Sequence, residues 1–463
     1  MRTRWMKIVA LCLSVCGCGR PLPGFVVDPG EEVLPDAGQE VPCSPGTVPT
    51  NLSVGEGGRL VVPLSPTGSD VAVEVADLPS GWNAHVAASP LRLVVRAGYG
   101  LEGSFGMTLL ARCGAKTGSQ DLQVQVHKAS WSTVALWTPS SSVPTARQMP
   151  TLWIDEANPN RMLMFGGHLY QPAQWTVTND LWSLDLDNGQ WSSVEPANAA
   201  PMQGSARVAA VPGGAGVLVH GGDAPDGSLP NQLWRFDSGA TRTWTQVTSS
   251  SAAPTGRLMD GFVYDAARKR YLSAFGLTET ELSDQVMVFT PNEQGGGAWQ
   301  PLATADDHGE RPSARYGFAY ALDAETDRLI VFSGGQVGSA ADPVNAAEDT
   351  WALELAETPA RWVKLAATAV QPAGRRNSSF GFDPVGHRLI VWGGTDDAAT
   401  VVTDVLALDL DRGNEFWHFL TVANPPEGRS SGAGVFDPKR NRALFGFGNS
   451  RTGIYTDVQA LNL

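Results

Sequence analysis

Between residues 59 and 126 apolar residues stand at alternate positions in short runs: Arg59-Leu60-Val61-Val62-Pro63-Leu64, Val71-Ala72-Val73-Glu74-Val75, Leu91-Arg92-Leu93-Val94-Val95, Met107-Thr108-Leu109-Leu110-Ala111 and Leu122-Gln123-Val124-Gln125-Val126. Alternation of period two, with Gly, Pro, Ser and Asp between runs, predicts antiparallel strands packed as a small sandwich over residues 43–128. From residue 129 to residue 463 the pattern repeats, and the fold class expected for the whole chain is all-β.

The repeat is carried by four landmarks. A turn with a small residue and an arginine recurs as Pro144-Thr145-Ala146-Arg147, Pro254-Thr255-Gly256-Arg257, Pro312-Ser313-Ala314-Arg315, Pro372-Ala373-Gly374-Arg375 and Pro426-Glu427-Gly428-Arg429, with a looser copy ending in Ser205-Ala206-Arg207. Successive arginines are 60, 50, 58, 60 and 54 residues apart. An Asp and an Arg then bracket a hairpin turn (Asp155/Arg161, Asp265/Arg270, Asp323/Arg328, Asp383/Arg388, Asp437/Arg442), which suggests turn chemistry and surface pairing worth at most about 1 kcal/mol each. An aliphatic strand running into glycines follows, as in Leu389-Ile390-Val391-Trp392-Gly393-Gly394, and then a strand such as Asp404-Val405-Leu406-Ala407-Leu408. The last landmark is a lone tryptophan: Trp191, Trp244, Trp299, Trp362 and Trp417.

This order of double glycine, aromatic strand and isolated Trp resembles the kelch motif, whose repeats each form one four-stranded blade of a β-propeller. The sixth copy ends at Leu463 without its Trp strand, and Ser130-Trp131-Ser132-Thr133-Val134 supplies a match at the other end. The resemblance therefore implies a six-bladed kelch-type propeller over 129–463, closed by its first strand, which removes an edge open to aggregation. In the preceding region, Leu78-Pro79-Ser80-Gly81-Trp82, then Leu91-Arg92-Leu93, a Gly103-Ser104-Phe105-Gly106 turn and Cys113 resemble bacterial immunoglobulin-like modules, which implies a spacer or adhesion unit.

Composition agrees with many turns and few solvated helices: 51 Gly and 32 Pro among 463 residues, and only 17% charged residues. A net charge of −14 argues against nucleic acid as a partner, since that needs a basic footprint.

Arg2, Arg4 and Lys7 ahead of Ile8 to Val15 read as the charged and apolar parts of a secretory signal, too short to span a bilayer. Val15-Cys16-Gly17-Cys18 resembles the bacterial lipobox, which implies cleavage after residue 17 and lipidation of Cys18; the alternative register at Cys16 puts Val15 where a small residue is wanted. Residues 18–42, rich in proline and acid, read as an extended tether. The expected address is a lipid anchor on a bacterial membrane, with Gly19 favouring the outer one by resemblance to enteric lipoproteins. Of the five cysteines, Cys43 and Cys113 remain, and in an oxidising compartment they are most simply a disulfide. A reactive thiol or metal ligand is the alternative, but no His or second Cys stands at metal spacing beside either.

Candidate ligand contacts are Arg147, Arg207, Arg257, Arg315, Arg375 and Arg429, which as a ring would recognise carboxylate or sulfate in bidentate fashion. The competing assignment pairs each with the acid opening its blade's third strand: Asp180, Asp284, Asp349, Asp404 or Asp457. Long loops after the glycines, 168–179, 223–231, 336–348 and 395–403, add Tyr170 and Trp175 as contacts for sugar or peptide, with His168 beside them as a further ligand-binding candidate. His168 and His220 flank double glycines in adjacent copies, yet no motif offers a third metal ligand. No catalytic residue, metal or cofactor is expected: cysteine is absent after Cys113, as a galactose-oxidase-like copper site would not allow, and the stretch Asp185 to Trp191 lacks the Ser or Thr of a sialidase Asp box. The expectation is a non-enzymatic envelope lipoprotein binding a protein or glycan; a kelch isomerase acting on acidic sugars is the alternative.

Overall fold

The computed structural model describes residues 42–135, 143–365 and 371–463, apart from positions 69, 89, 172–173, 215 and 340–341. The signal, Cys18 and the tether up to residue 41 lie outside the described residues. Every regular element described is a strand, and the chain divides into two units, one up to His127 and one from Lys128 to Leu463.

The first unit holds β1 (Asn51–Gly55), β2 (Arg59–Pro63), β3 (Val71–Ala76), β4 (Asn83–Ala88), β5 (Leu91–Arg96), β6 (Gly103–Cys113) and β7 (Lys116–His127). They form two sheets, ordered β1-β7-β6-β3 and β2-β5-β4, with β1 parallel to β7. Alternation decides the faces: Leu122, Val124 and Val126 of β7 and Met107 and Leu109 of β6 share one buried core with Leu93 and Val95 of β5, while the residues between them turn outward or are only partly covered. A disulfide joins Cys43 to Cys113 at the end of β6 across 70 residues. Closing a loop of that length stabilises this unit by about 4 kcal/mol in the chain-entropy model.

The second unit contains six antiparallel sheets of four strands in chain order, the fourth carrying the short extra strand Thr304–Ala305. Their first strands are Thr151–Ile154, Arg207–Ala210, Gly261–Asp265, Ala319–Asp323, Ser379–Asp383 and Ala433–Asp437. Each touches the next, and the last touches the first. The fourth strand of the sixth sheet is β8 (Ser130–Ala135), paired with Val458–Asn462 so that Trp131 stands opposite Leu461.

Adjacent sheets pack through one repeated aromatic contact. The Trp of each fourth strand meets the residue ahead of the glycines in the preceding sheet: Trp244 on Phe165 at 4.7 Å, Trp299 on His220 at 5.2 Å, Trp362 on Phe275 at 5.6 Å and Trp417 on Phe332 at 4.3 Å. Trp131 on Trp392 at 5.1 Å and Trp191 on Phe447 at 5.9 Å complete the circle. Because neighbours cover both faces of a sheet, the inner strands are buried along their whole length, as in Arg328–Phe332 and Arg388–Trp392.

The Asp/Arg pairs at the hairpin turns are not surface pairs. Asp155, Asp265, Asp323, Asp383 and Asp437 are all buried, and so are Arg328 and Arg388. Asp383 accepts from Arg388 Nε at 3.0 Å and from the amides of Val385 and Gly386 at 3.0 and 2.8 Å, so one carboxylate both shapes the turn and neutralises the buried guanidinium. The flanks of the hairpin are covered by the adjoining sheet, and exposure could not be inferred from the turn residues alone.

Candidate functional site

Each first strand is preceded by a turn that brings the chain from one sheet to the next. Two residues ahead of each first strand stand Met149, Ser205, Met259, Gly317, Asn377 and Ser431, all with φ between 50° and 59°. Four backbone amide bonds link five of them: Met149 donates to the Ser431 carbonyl at 2.7 Å, Ser431 to Asn377 at 2.9 Å, Asn377 to Gly317 at 2.7 Å and Gly317 to Met259 at 2.9 Å. The left-handed conformation points these groups at one another around the axis. At Gly317 a side chain is excluded as well, since a Cβ there would lie 2.2 Å from Asn377 Oδ1.

Two residues further back stand five of the predicted arginines. Arg147, Arg257, Arg315, Arg375 and Arg429 are 0–2% exposed. Arg147 holds Asp180 in a fork at 2.6 and 2.8 Å, and Arg315 holds Asp349 at 2.6 and 3.2 Å. Arg429 grips Asp457 at 2.7 and 3.1 Å, and Arg375 grips Asp404 in the same way. Each also donates to the carbonyl just ahead of the second glycine, as Arg147 does to Gly166 at 2.9 Å and Arg315 to Ser333 at 3.0 Å. These groups staple the sheets and are closed to a ligand, which corrects the ring of anion-binding arginines.

Arg257 departs from the pattern. It donates to the Phe275 carbonyl at 3.0 Å and Ser283 Oγ at 3.4 Å, with no carboxylate in ion-pair distance among the described residues. Burial pushes its pKa down, only partly offset by the charge of Asp260. Asp284 is not its partner: it pairs instead with Arg311 at 3.6 Å, and Gln285 occupies the position ahead of the third strand.

Arg207 is a second correction. It lies within the first strand of its sheet, four residues beyond the stapling position, which is held by Gln203. Gln203 is buried and donates to the Gly221 carbonyl at 2.9 Å, the bond the arginines make elsewhere. The signal was countable: intervals of 60 and 50 residues around Arg207 become 56 and 54 around Gln203 (203 − 147 and 257 − 203). In this sheet Gln232 stands in the place of the third-strand acid too, so both positions of the pair carry neutral amides.

Burial alone would raise the carboxyls of Asp180, Asp349 and Asp457; the hydrogen bonds and charge of Arg147, Arg315 and Arg429 outweigh it and hold them below their ordinary 3.8. A carboxylate with a depressed folded pKa contributes stability that is complete above its unfolded value and disappears as pH falls through the folded one. Thermal melts should therefore show no loss from these pairs between pH 5 and pH 8 and a steep fall below about pH 4. Replacing the three arginines with methionine should flatten that acid limb.

The remaining candidates separate. His168 Nε2 bonds Asp223 Oδ2 at 2.8 Å, tying the first sheet to the second. His220 stacks on Phe262 at 5.0 Å and bonds Asp260 at 3.0 Å, so each histidine has its own acid in the next sheet. No group of three or more His, Cys, Asp or Glu is placed to hold a metal among the described residues. The loop 168–179 forms a hairpin, His168–Gln171 with Gln174–Val177, in which Tyr170 and Trp175 stand opposite each other with ring centroids 5.1 Å apart. Both are exposed, 58% and 47%, and no core demands them.

The KLHDC2/KLHL20/DRC7 Kelch-repeats domain model matches residues 111–307 and 268–463. Among curated proteins, the human multiple epidermal growth factor-like domains protein 8 is 26% identical over 185 residues, which are 39% of this chain and 6% of that protein. The chain thus spans a small part of that relative's length. The two family matches together run from residue 111 to the last residue and cover the whole second unit, so the chain belongs to the Kelch-repeats domain family.

Proposed function

We propose that this chain is a non-enzymatic binding protein of the bacterial cell envelope, in which a six-bladed kelch propeller presents the recognition surface. Kelch repeats ordinarily serve protein interaction, and six sheets whose first strands meet in a ring support the blade count. The order β7-β6-β3 beside β2-β5-β4 supports an immunoglobulin-like spacer. A lipid on Cys18 and an extended tether would hold both at the membrane, probed by palmitate labelling that Cys18→Ala abolishes. The observation that carries the reading is the contrast between repeat and exception: repeated charged groups are consumed within the fold, whereas the Tyr170/Trp175 hairpin leaves a large aromatic pair in solvent. Exposed aromatics of this kind supply interface contact area at little entropic cost.

Photo-crosslinking from position 174 in intact cells tests it. A discrete adduct in the unaltered chain, lost when Tyr170 and Trp175 become alanine while the melting temperature is kept, is expected. An adduct unaffected by the double substitution would count against the hairpin as the binding surface.

A further inference from the structure

We propose that Arg207 anchors a carboxylate-binding site inside the channel, an inference that rests on the binding-module reading and gives its ligand a chemistry. In the position where Arg207 begins its first strand, the other five sheets begin with Thr151, Gly261, Ala319, Ser379 and Ala433. All five are small and uncharged, so the arginine is a departure from the repeat and not part of its scaffold. It is half-buried, and its Nε–H donates to the Asp260 carbonyl at 3.0 Å, which fixes the guanidinium head. No carboxylate among the described residues lies within ion-pair distance of it.

Arg207 lines a cavity of about 140 Å³ on the axis, to which five of the six sheets contribute residues and the third only Met259 of its entry turn. It is the one charged side chain among the lining residues, which include Met149, Tyr320, Asn377 and Phe380. The Tyr320 phenol is pushed up by burial and, more weakly, by the charge of Asp260, while the Arg207 charge and a backbone hydrogen bond to Phe262 work against that rise. Two of the hydroxyls that line the cavity are already committed: Thr151 donates to the Ala206 carbonyl at 2.7 Å and Ser378 to the Gly393 carbonyl at 3.0 Å.

A partly desolvated guanidinium without a counter-charge is costly, and an incoming anion relieves that cost. The planar fork matches a carboxylate in bidentate geometry. At about 30 Å³ per water, the cavity has room for roughly four or five waters, enough for a carboxylate and the first carbons behind it but not for a bulky polyanion. The ligand therefore enters carboxylate first, either as a small free acid or as the acid group of a sugar.

Saturation-transfer NMR on the full chain decides it, with acetate against acetamide and D-glucuronate against D-glucose as probes. Transfer to a charged probe at least five-fold above its neutral counterpart is expected, with Arg207→Gln lowering it about ten-fold and Arg207→Lys retaining part of it at an unchanged melting temperature. Stronger transfer to glucuronate assigns the acid group of a sugar, and stronger transfer to acetate a free small acid. Equal transfer to charged and neutral probes, or full transfer in the folded Arg207→Gln chain, would overturn the site. That failure leaves the Tyr170/Trp175 crosslink intact, whereas turnover of glucuronate would overturn the non-enzymatic reading instead.

Discussion

Deleting Ser130–Ala135 should abolish the single cooperative unfolding transition of the second unit and make the chain self-associate beyond its original size. The deleted strand is the fourth of the sixth sheet, and its loss exposes the hydrogen-bonding edge of Val458–Asn462. An unpaired edge of that kind recruits another chain. It also removes Trp131 from between Trp392 at 5.1 Å and Phe445 at 6.0 Å, uncovering the aromatic end of the fifth sheet's second strand. Trp131→Ala alone should cost about 3 kcal/mol, the lower end for truncating a core tryptophan, because this one is only partly buried. Size-exclusion chromatography and urea unfolding read both effects. A peptide spanning residues 129–136 added back should restore the transition, since the missing interactions are all made by that segment. A deletion chain that kept the size of the unaltered chain and unfolded in one step at the original midpoint would show that the ring is not closed through β8.

Removing the acid from one arginine staple should be the most damaging single substitution among the paired sites. In Asp349→Ala the Arg315 guanidinium, fully buried, keeps the Ser333 and Ser313 carbonyls at 3.0 Å but loses its carboxylate. An uncompensated buried charge costs about 3–5 kcal/mol, and the lower figure is expected because Asp349 itself is 24% exposed. Taking the arginine away as well, in Arg315→Met with Asp349→Ala, should recover part of the loss, because no charge is then stranded. A double-mutant cycle in urea measures the coupling. The second sheet already contains a neutral solution to the same problem, with Gln203 in the arginine's place. Arg315→Gln should accordingly be milder than Arg315→Met.

Much of the fold was legible because the repeat is written in residues whose physics is local. Glycine pairs at positive φ, such as Gly166 and Gly167, and one tryptophan per copy mark strand ends and packing surfaces without reference to anything distant in sequence. What was misread depended on partners supplied by another strand. Arg207 has the residue type and the neighbours of a repeat arginine, yet it sits four residues late, and only the register of its strand separates it from Gln203. Asp284 was one position early for the same reason. The Asp/Arg turn pairs looked like surface chemistry because charge normally signals solvent, whereas here the adjoining sheet covers them. Tyr170 and Trp175 are the opposite case: aromatics outside the repeat have no core to fill, and their exposure follows from that.

The chain divides its repeat-region arginines between those that hold the fold and one, Arg207, that faces a ligand. Melting temperatures of Arg315→Met and Arg207→Gln, recorded side by side in the same buffer without ligand, test that division directly. A drop of about 4 °C is expected for Arg315→Met, from a loss of roughly 2–3 kcal/mol spread over a unit of this size and held below that of Asp349→Ala because the stranded Asp349 is partly exposed, and a change within about 2 °C for Arg207→Gln. Equal drops, or a drop confined to Arg207→Gln, would contradict the division.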